Sequence, residues 1–442
     1  MSFTAIILAA GKGTRMKSEI PKPLHHVAGR PMLSWVIDAA KAAGASQILP
    51  VIGHESAQLE DWLGDIKPAY QTEQLGTGHA VLAAEHMLEK PAVPVIILFG
   101  DTPLITADTI KRTVTHIKNG ADICALGFEA SNPAGYGRFI LDDSGRLVQI
   151  IEDSECSEAE RQITFVNGGI LAARAPALFS LLRSVKPANS KGEIFLTDVI
   201  AEGHAAGLNI TSDKAPQTEL LGVNSRAQLA ELDAIAQQRL RNSAMDAGAT
   251  LVAPETIFLS ADTILETDVI IEPNVVIGPG VHIATGSHIK SFSHLERCYV
   301  GTCCVIGPYA RLRPGTHLED GVKIGNFVET KNARFEAGAK ANHLSYIGDA
   351  DVGAAANIGA GTITCNYDGF GKHKTEIGDG AFIGSNSALV APVRIGDGAI
   401  VGAGSTITKA VDDNAIATAR GRQSQITDGA KQFRAKRKKP NG

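Results

Sequence analysis

An aliphatic residue recurs at every sixth position through most of the C-terminal half of this 442-residue chain. Such a short fixed period is typical of a repeat architecture, and a hexapeptide period predicts a parallel β-helix with the recurring side chain in the core. We expect the repeats to begin near Leu251 and to end near Ile416, with glycine, aspartate and asparagine at the corners. The second of three runs is shifted by one residue from the first. The runs are Leu259, Leu265, Ile271, Ile277, Ile283, Ile289 and Leu295; Val300, Ile306, Leu312, Leu318 and Ile324; and Ile377, Ile383, Leu389, Ile395, Val401 and Ile407.

The N-terminal half has a different pattern, in which short apolar runs alternate with amphipathic segments. This alternation predicts βαβ units and a mostly parallel sheet with helices on both faces, which would bind ligands beyond the carboxyl ends of its strands. The run from Val93 to Phe99 is almost continuously apolar, as expected of a strand buried on both faces. The predicted strands are Thr4 to Ala9, Gln47 to Ile52 and Val93 to Phe99, and the predicted helices are Pro31 to Ala43, Glu55 to Leu63 and Gly78 to Leu88.

The change of period predicts a division of the chain into four parts. Residues 1–222 form an α/β domain, residues 223–247 a helical linker and residues 248–430 the β-helix domain. Residues 431–442 are basic and lack apolar periodicity, so we expect a flexible, solvated tail.

Composition narrows the class of protein. The formal net charge of −5 and the apolar fraction of 44% do not indicate a nucleic-acid binder or a disordered chain. No apolar stretch is long enough to predict a membrane span, and the N-terminus lacks the basic region of a signal peptide, so we expect a cytoplasmic protein. The six cysteines lack zinc-site spacing and are expected to be small, buried, reduced side chains.

Candidate chemistry follows the first predicted strand. The glycine pair Gly11 and Gly13 lets the backbone approach an anion, and Arg15 and Lys22 add two cations suited to phosphate. Asp101 stands at the end of a buried strand, where a carboxylate would bind the Mg²⁺ that accompanies a nucleotide. The alternatives are a plain glycine turn with two surface cations, and an Asp101 that only caps a helix or forms a turn.

The hexad period breaks twice, from Thr330 to about Ala341 and from Cys365 to Lys374. Such breaks are where loops project from a solenoid and where function can reside. His343 lies between them, and a neutral histidine can take a proton from an amine that attacks a thioester. A structural histidine is the alternative.

These motifs resemble the sugar-1-phosphate nucleotidyltransferases, and most closely the bacterial bifunctional N-acetylglucosamine-1-phosphate uridyltransferases/glucosamine-1-phosphate acetyltransferases. The resemblance spans roughly residues 4 to 425. Phe99, Pro23 and Gly168 depart from the commoner Tyr, Val and Thr of that family. The motifs that carry it are Leu8 to Met16, Gln71 to Ala80, Gly135 to Arg138, Glu152, Asn167, Gly222 to Asn224, Arg311 to Gly315, Glu329 to Lys331, His343 to Tyr346 and Asn357 to Gly369.

For the N-terminal domain, the resemblance implies a uridylyltransferase (pyrophosphorylase) that uses UTP and Mg²⁺. Arg15, Lys22 and Asp101 would be catalytic, and Asp101 and Asn224 would hold the Mg²⁺. The implied nucleotide-binding residues are Leu8, Ala9, Ala10, Gly11, Lys22, Gln71, Gly76, Thr77, Phe99, Gly100 and Asp101. The implied sugar-phosphate residues are Gly137, Glu152, Asn167 and Asn224.

For the C-terminal domain, the resemblance implies a left-handed parallel β-helix that associates as a homotrimer and acetylates glucosamine-1-phosphate with acetyl-CoA. His343 would be the general base. The implied glucosamine-1-phosphate residues are Arg313, Lys331, Tyr346 and Asn357. The implied acetyl-CoA residues are Ala360, Asn366, Tyr367, Ser385, Ala403 and Arg420, and Lys372 would approach the same site. The two reactions together would make UDP-N-acetylglucosamine for cell-envelope synthesis.

Two other functions are compatible with parts of this pattern. One is a single-activity sugar-1-phosphate nucleotidyltransferase whose β-helix only regulates or oligomerises. The residues His343, Tyr346, Asn366 and Tyr367 argue against it, since a regulatory β-helix does not require them. The other is a non-catalytic protein that binds sugar nucleotides without turnover, which the presence of Arg15, Lys22, Asp101 and His343 disfavours.

Overall fold

The computed structural model describes residues 2–11, 13–53, 56–185 and 192–437. It divides into two compact units, Met1–Leu240 and Arg241–Gly442. The division falls inside one long helix, Arg226–Asp246, which occupies the segment predicted as a linker. Residue 55, the predicted start of one helix, and residues 438–442 of the predicted tail lie outside the described residues.

The first unit contains eleven strands and most of the helices. Its strands are β1 (Thr4–Leu8), β2 (His26–Val27), β3 (Arg30–Pro31), β4 (Gln47–Gly53), β5 (Ala69–Gln71), β6 (Pro94–Phe99), β7 (Ile123–Glu129), β8 (Arg138–Leu141), β9 (Leu147–Ile151), β10 (Phe165–Arg174) and β11 (Ile210–Lys214). Its α-helices are α1 (Met32–Ala42), α2 (Ala57–Leu63), α3 (Thr77–Ala83), α4 (Ala107–Lys118), α5 (Ala175–Ser184), α6 (Asp198–Ala205), α7 (Gln217–Leu220) and α8 (Arg226–Asp246), the last reaching the second unit. Short 3₁₀ turns lie at Thr14–Met16, Lys22–Leu24, Glu85–Met87, Asp153–Glu155 and Glu160–Gln162.

The main sheet has the strand order β11-β7-β10-β6-β1-β4-β5. The central strands β1, β4 and β6 are parallel, while β10 runs antiparallel between β6 and β7. Alternate residues of β1 enter different cores, since Ala5 and Ile7 pack on one face and Ile6 and Leu8 on the other. The sheet is therefore covered on both faces, and the predicted mostly parallel α/β domain is confirmed.

The second unit is a stack of short strands. These are β12 (Thr250–Leu251), β13 (Phe258–Leu259), β14 (Ile264–Leu265), β15 (Ile270–Ile271), β16 (Val276–Ile277), β17 (His282–Ile283), β18 (His288–Ile289), β19 (His294–Leu295), β20 (Cys298–Val300), β21 (Val305–Ile306), β22 (Arg311–Leu312), β23 (Thr316–Leu318), β24 (Lys323–Asn326), β25 (Glu329–Phe335), β26 (Lys340–His343), β27 (Tyr346–Val352), β28 (Asn357–Ile358), β29 (Ile363–Cys365), β30 (Thr375–Ile377), β31 (Phe382–Ile383), β32 (Ala388–Val390), β33 (Val393–Ile395), β34 (Ile400–Val401), β35 (Thr406–Ile407) and β36 (Ile416–Ala417). A 3₁₀ turn at Pro254–Thr256 precedes β13, and α9 (Gly429–Arg437), whose described residues are mainly exposed, follows the stack.

Each strand in the first part of this stack pairs in parallel with the third strand after it, which is the pairing expected of a β-helix with three strands per coil. In one ladder Ile271 pairs with Ile289 and Ile289 with Ile306, and all three are buried. The shift between the first two hexad runs arises because a coil shortens by one residue where Leu295 pairs with Leu312. The predicted parallel β-helix of hexapeptide repeats is confirmed.

The two breaks in the hexad period have different structures. The second break projects a loop whose Phe370 is 99% exposed. The first break does not project a loop, contrary to expectation. There β25 runs over seven residues and pairs first with β22 and then with β23, because the chain turns between them at the left-handed Asn332 without leaving the coil.

The cysteines largely follow the prediction, with one correction. Cys124, Cys156, Cys298 and Cys304 are buried, Cys365 is half-buried and Cys303 is exposed. Cys303 has a left-handed backbone at a corner of the stack, which turns its side chain outward rather than into the core. All six thiols are free.

Candidate active sites

The first candidate site is a cavity of about 770 Å³ at the carboxyl ends of the parallel strands of the first unit. All of the predicted N-terminal site residues line this cavity except Gly100. Gly100 is buried behind the cavity and donates its N–H to the carbonyl of Leu8 at 2.9 Å. The predicted residues that line the cavity are Leu8, Ala9, Ala10, Gly11, Arg15, Lys22, Gln71, Gly76, Thr77, Phe99, Asp101, Gly137, Glu152, Asn167 and Asn224.

Lys22 stands at the charged centre of this cavity. Its ammonium forms an ion pair with the carboxylate of Asp101 and donates a hydrogen bond to Oδ1 of Asn224 at 2.8 Å. Asp101 follows the buried strand β6 after Gly100, whereas Asn224 lies two residues before α8, and the backbone N–H of Val223 donates to the carbonyl of Asp101 at 3.1 Å. A carboxylate and an amide oxygen from distant parts of the chain therefore face one positive charge.

The nucleotide-binding loops are held by specific contacts. Nε2 of Gln74 donates a hydrogen bond to the carbonyl of Ala10 at 3.0 Å. Nε2 of Gln71 donates one to the carbonyl of Gly76, also at 3.0 Å. Gly76 has a φ of 102°, and a Cβ there would lie 2.5 Å from the carbonyl oxygen of Ile194. Only glycine therefore fits, since both the backbone angle and the close approach exclude a side chain.

The segment from Ile194 to Thr197 connects the nucleotide loop to the predicted sugar site, and sequence reasoning missed it. Ile194 accepts from the N–H of Gly78 at 2.8 Å, and the N–H of Leu196 donates to Oγ1 of Thr77 at 2.9 Å. Thr197 donates from Oγ1 to Oε1 of Glu152 at 3.1 Å. No residue type in this segment signals binding, so only the fold shows its position.

Glu152 is a partly buried carboxylate beside a second cavity of about 400 Å³ that adjoins the first. Burial raises the pKa of Glu152, the hydrogen bond from Thr197 lowers it, and the negative charges of Glu155, Asp198 and Asp153 raise it further. Its pKa therefore lies above the ordinary glutamate value. Asn167, which faces the same cavities, accepts from the N–H of Gly169 at 2.9 Å.

The second candidate site runs along one corner of the β-helix. Backbone and side-chain hydrogen bonds connect successive coils there: Gly361 N to His343 O (3.4 Å), Asn386 N to Ala360 O (2.7 Å), Gly404 N to Ser385 O (2.8 Å) and Arg420 Nη1 to Ala403 O (2.8 Å). We call the line of His343, Ala360, Ser385, Ala403 and Arg420 the His343 corner. It contains the predicted base at one end and four of the predicted acetyl-CoA residues after it.

His343 is exposed, and its Nδ1 lies 2.8 Å from Oδ1 of Asn326. Because an amide oxygen only accepts hydrogen bonds, Nδ1 carries the proton in this contact and Nε2 is the basic nitrogen. Asn326, at the end of β24, is a second residue that the sequence did not single out. The feature that could have identified Asn326 is its position in the repeat, since it pairs with His343 in the next coil.

The predicted phosphate-binding residues lie on the neighbouring strands. Arg313 pairs with Glu329 at 2.8 Å, and the register places Glu329 beside Tyr346 and Lys331 beside Gly348. The neighbouring ammonium of Lys372 lowers the pKa of Lys331 by repulsion, and desolvation and the charge of Arg313 lower it further. This excess of positive charge on an exposed surface suits a phosphate monoester.

The remaining predicted residues occupy different surroundings. Asn366 is buried and its Nδ2 lies 3.5 Å from the hydroxyl of Tyr346. Tyr367 is 62% exposed and donates to the carbonyl of Gly369 in the projecting loop. Asn357 begins β28 and pairs with Lys340 and Phe382, so it lies in the same sheet as β26, the strand that ends at His343.

Two family models match the chain. Residues 5–165 match the MobA-like NTP transferase domain, and residues 374–409 match the bacterial transferase hexapeptide (six repeats). Together with the cavity of the first unit and the corner of the second, these matches define a two-domain transferase, with a nucleotidyltransferase fold followed by a hexapeptide-repeat transferase.

Curated relatives match nearly the whole chain. The bifunctional protein GlmU of Azorhizobium caulinodans is 52% identical over 443 residues, covering 99% of this chain and 99% of the relative. Those of Xanthobacter autotrophicus and Maricaulis maris are both 53% identical, covering 100% and 98% of this chain and 99% and 96% of the relatives. The chain belongs to the family of the bifunctional protein GlmU. This confirms the family predicted from the motifs, and with it a bifunctional uridylyltransferase and acetyltransferase.

No described helix has the length and apolar character needed to cross a membrane.

Proposed function

We propose that the two reactions proceed in sequence and at separate sites. At the β-helix, an acetyl group moves from acetyl-CoA to the amine of glucosamine-1-phosphate. In the α/β unit, the resulting N-acetylglucosamine-1-phosphate reacts with UTP to give UDP-N-acetylglucosamine and pyrophosphate. The observation that carries the proposal is the convergence of Lys22, Asp101 and Asn224 at the centre of the large cavity.

In uridylyl transfer, a phosphate oxygen of the sugar phosphate attacks the α-phosphorus of UTP in line, and pyrophosphate leaves. Such a reaction depends on positioning and on neutralising negative charge. Arg15 and Lys22 line the same cavity and supply positive charge to the phosphates. Glu152 and Asn167, at the other side, provide hydrogen-bonding groups for the sugar, while Gln71 and the Gly76 loop contact the nucleotide.

The residues present fit Mg²⁺. The ammonium of Lys22 already occupies a point that faces one carboxylate and one amide oxygen, which shows that these groups can surround a cation. Mg²⁺ commonly uses one or two protein oxygens and completes its coordination with water and substrate phosphates. Asp101 and Asn224 would hold the ion, which when bound neutralises phosphate charge, and Lys22 would then be freed for the phosphates.

In acetyl transfer, the amine of glucosamine-1-phosphate attacks the thioester carbonyl as Nε2 of His343 takes its proton. The C–N bond forms, the C–S bond breaks, and the CoA thiolate leaves and is protonated. Asn326 holds the tautomer that leaves Nε2 basic. Arg313, Lys331 and Tyr346 would bind the sugar phosphate, and the residues that follow His343 along the corner, with Asn366 and Tyr367, would bind acetyl-CoA.

Assembly as a homotrimer and a cytoplasmic location belong to the same proposal. A row of exposed aromatic side chains runs along the coils beside the His343 corner. The ring centroids of Phe292 and Tyr309 lie 4.9 Å apart, and those of Tyr309 and Phe327 lie 5.1 Å apart. An exposed apolar row of this kind suits a neighbouring copy. The six free cysteines are typical of a reducing compartment.

The test supplies glucosamine-1-phosphate, acetyl-CoA, UTP and Mg²⁺ and follows CoA thiol, pyrophosphate and UDP-N-acetylglucosamine together, with each component omitted in turn. We expect all three products, with pyrophosphate dependent on acetyl-CoA. Pyrophosphate formed only from added N-acetylglucosamine-1-phosphate, without CoA release, would contradict acetyl transfer by the β-helix.

A further inference from the structure

Asp349 lies between the two predicted substrate regions of the second unit. Its Oδ1 accepts a hydrogen bond from Nδ2 of Asn332 at 2.6 Å, and its Oδ2 accepts one from Nδ2 of Asn366. Asn332 follows Lys331 on β25, and Asn366 begins the projecting loop after β29. One carboxylate therefore joins the strand of a predicted phosphate-binding lysine to a loop of predicted acetyl-CoA residues. Asp349 also lines a polar cavity of about 360 Å³.

The residue before Asp349 has to be glycine for this arrangement. A Cβ on Gly348 would lie 2.4 Å from the hydroxyl of Tyr346 and 2.9 Å from Nδ2 of Asn366. The buried Thr364 fixes the backbone of Gly348, accepting from its N–H at 2.8 Å and donating to its carbonyl at 2.9 Å. The backbone thus leaves room for Tyr346 and Asn366 to meet above Gly348.

Charge also connects Asp349 to both regions. Burial raises the pKa of Asp349, but the hydrogen bonds from Asn332 and Asn366, and then Lys372 and Lys331, lower it to a net value below the ordinary aspartate range. The charge of Asp349 in turn opposes the lowering of the Lys331 pKa by Lys372 and Arg313. Asp349 therefore supplies negative charge beside the two lysines, as Glu329 does beside Arg313.

We propose that Asp349 is a positioning residue for acetyl transfer, holding Nδ2 of Asn366 so that the Oδ1 atom of Asn366 is presented to an N–H group of acetyl-CoA. The pantetheine arm of acetyl-CoA carries amide N–H groups, which are the donors that such an oxygen accepts. This inference rests on the proposed acetyltransferase function. Asp349 itself acts through Asn366 and does not contact the reacting atoms.

The principal test compares Asp349→Asn with the full-length wild-type enzyme. An asparagine at this position has only one acceptor oxygen, so it cannot satisfy the amides of both Asn332 and Asn366. We expect the KM for acetyl-CoA to rise about tenfold, as for the loss of one hydrogen bond to a charged group, with kcat within about twofold. Uridylyl transfer should stay unchanged.

Asp351→Asn is the matched control. Asp351 lies two residues further along β27, lines the same cavity and pairs with Lys374 rather than with a predicted substrate residue. The Asp351→Asn variant loses the same charge from the same strand but keeps the contact between Asp349 and Asn366. The KM of this variant for acetyl-CoA should therefore remain near the wild-type value. An equal rise in both variants would overturn the proposal, because the effect would then be a general one of charge.

A double-variant cycle tests the route through Asn366. If Asp349 acts by holding Asn366, the combination of Asp349→Asn with Asn366→Ala should have the acetyl-CoA KM of Asn366→Ala alone. Additive effects would contradict the proposal. Should Asp349→Asn fail to fold, Asp349→Glu keeps the charge but displaces the carboxylate, and an unchanged acetyl-CoA KM in that variant would equally overturn it.

The pH profile gives an independent readout. Without the negative charge at position 349, the pKa of Lys331 falls further, so the KM for glucosamine-1-phosphate should begin to rise at lower pH in Asp349→Asn than in the wild type. If the KM for glucosamine-1-phosphate begins to rise at the same pH in both enzymes, the proposed effect of the Asp349 charge on Lys331 is contradicted. The two levels of failure are distinct: a wild-type enzyme without acetyl transfer contradicts the proposed function, whereas an active wild type with a normal Asp349→Asn variant contradicts only this inference.

Discussion

The two candidate sites of this chain are built in opposite ways. In the α/β unit, residues far apart in sequence converge on one cavity, and Lys22 contacts Asn224 across 202 positions. In the β-helix, residues one coil apart lie along a corner, where each site residue is held by the next turn of the same repeat. The first site depends on the global topology of a sheet, and the second depends on a register that is nearly local.

The two sites also differ in how far their side chains are exposed to solvent. Lys22 and Asp101 are largely buried, with side-chain exposures of 15% and 18%, whereas His343 and Tyr367 are exposed. The charged centre of the first site thus lies inside a cavity formed by its own chain, where burial strengthens electrostatic interactions. The second presents an open surface, and this is consistent with a site that a neighbouring copy completes in the proposed trimer.

The sharpest test of this comparison is Asp101→Asn, for which we expect uridylyl transfer to fall below detection. The variant removes the only carboxylate that faces the Lys22 ammonium among the described contacts, and with it the proposed Mg²⁺ ligand. Acetyl transfer should be unaffected, since it occurs in the other unit. Pyrophosphate and CoA release, measured separately, check this, with the exposed Asp108→Asn as control. Loss of both activities in a folded protein would contradict separate sites.

The second test is His343→Ala, which should reduce acetyl transfer by about 10²–10⁴-fold, the usual range for a general base. Uridylyl transfer from N-acetylglucosamine-1-phosphate should keep its wild-type rate. His294→Ala, an exposed histidine on an earlier coil, serves as the control. A near-normal rate of CoA release in His343→Ala would remove this residue from the role of base.

A smaller effect is expected from Thr197→Val, which should raise the KM for N-acetylglucosamine-1-phosphate by roughly tenfold through loss of a hydrogen bond to a charged group. Because the bond from Thr197 lowers the pKa of Glu152, its loss should raise that pKa further. Protonated Glu152 binds the sugar less well, so the KM should rise as pH falls, and this rise should begin at higher pH in the variant.

The measurement is the pH dependence of kcat/KM for the sugar phosphate, and Thr197→Ser should restore the wild-type profile. If the acidic limb is the same in Thr197→Val and the wild type, Thr197 does not act through Glu152.

The smallest expected effect is that of Phe99→Tyr, which restores the residue common in the family. The ring of Phe99 lies beside Gly169 at the wall shared by the two cavities, and a hydroxyl there changes only the local polarity. We expect substrate KM values to change by less than about threefold, because the substitution keeps the ring and adds a single hydroxyl at the cavity wall. Steady-state kinetics check this, and a larger change would show that the ring itself selects the substrate.

Much of the architecture was predictable because its signals are local. The period of six places the repeating aliphatic residues in the core, apart from the partly buried Leu265, and the strands from Thr4, Gln47 and Pro94 agree with the predicted runs to within a residue or two. The first hexad break differs from the prediction of a projecting loop. The chain turns at Asn332 inside β25, and pairing of β25 with the coils before and after it keeps the segment in the stack.

The sequence by itself determined the α/β and β-helix units, their order, the family and the residues that carry charge. Periodicity, turn residues and motif spacing are properties of short segments, and they survive without knowledge of the fold. Only the tertiary structure decided that Lys22 lies between Asp101 and Asn224, that Thr197 contacts Glu152, and that Asn326 and Asp349 support His343 and Asn366. These contacts join segments from different strands and coils, so they depend on how the sheets and coils stack, which no local pattern encodes.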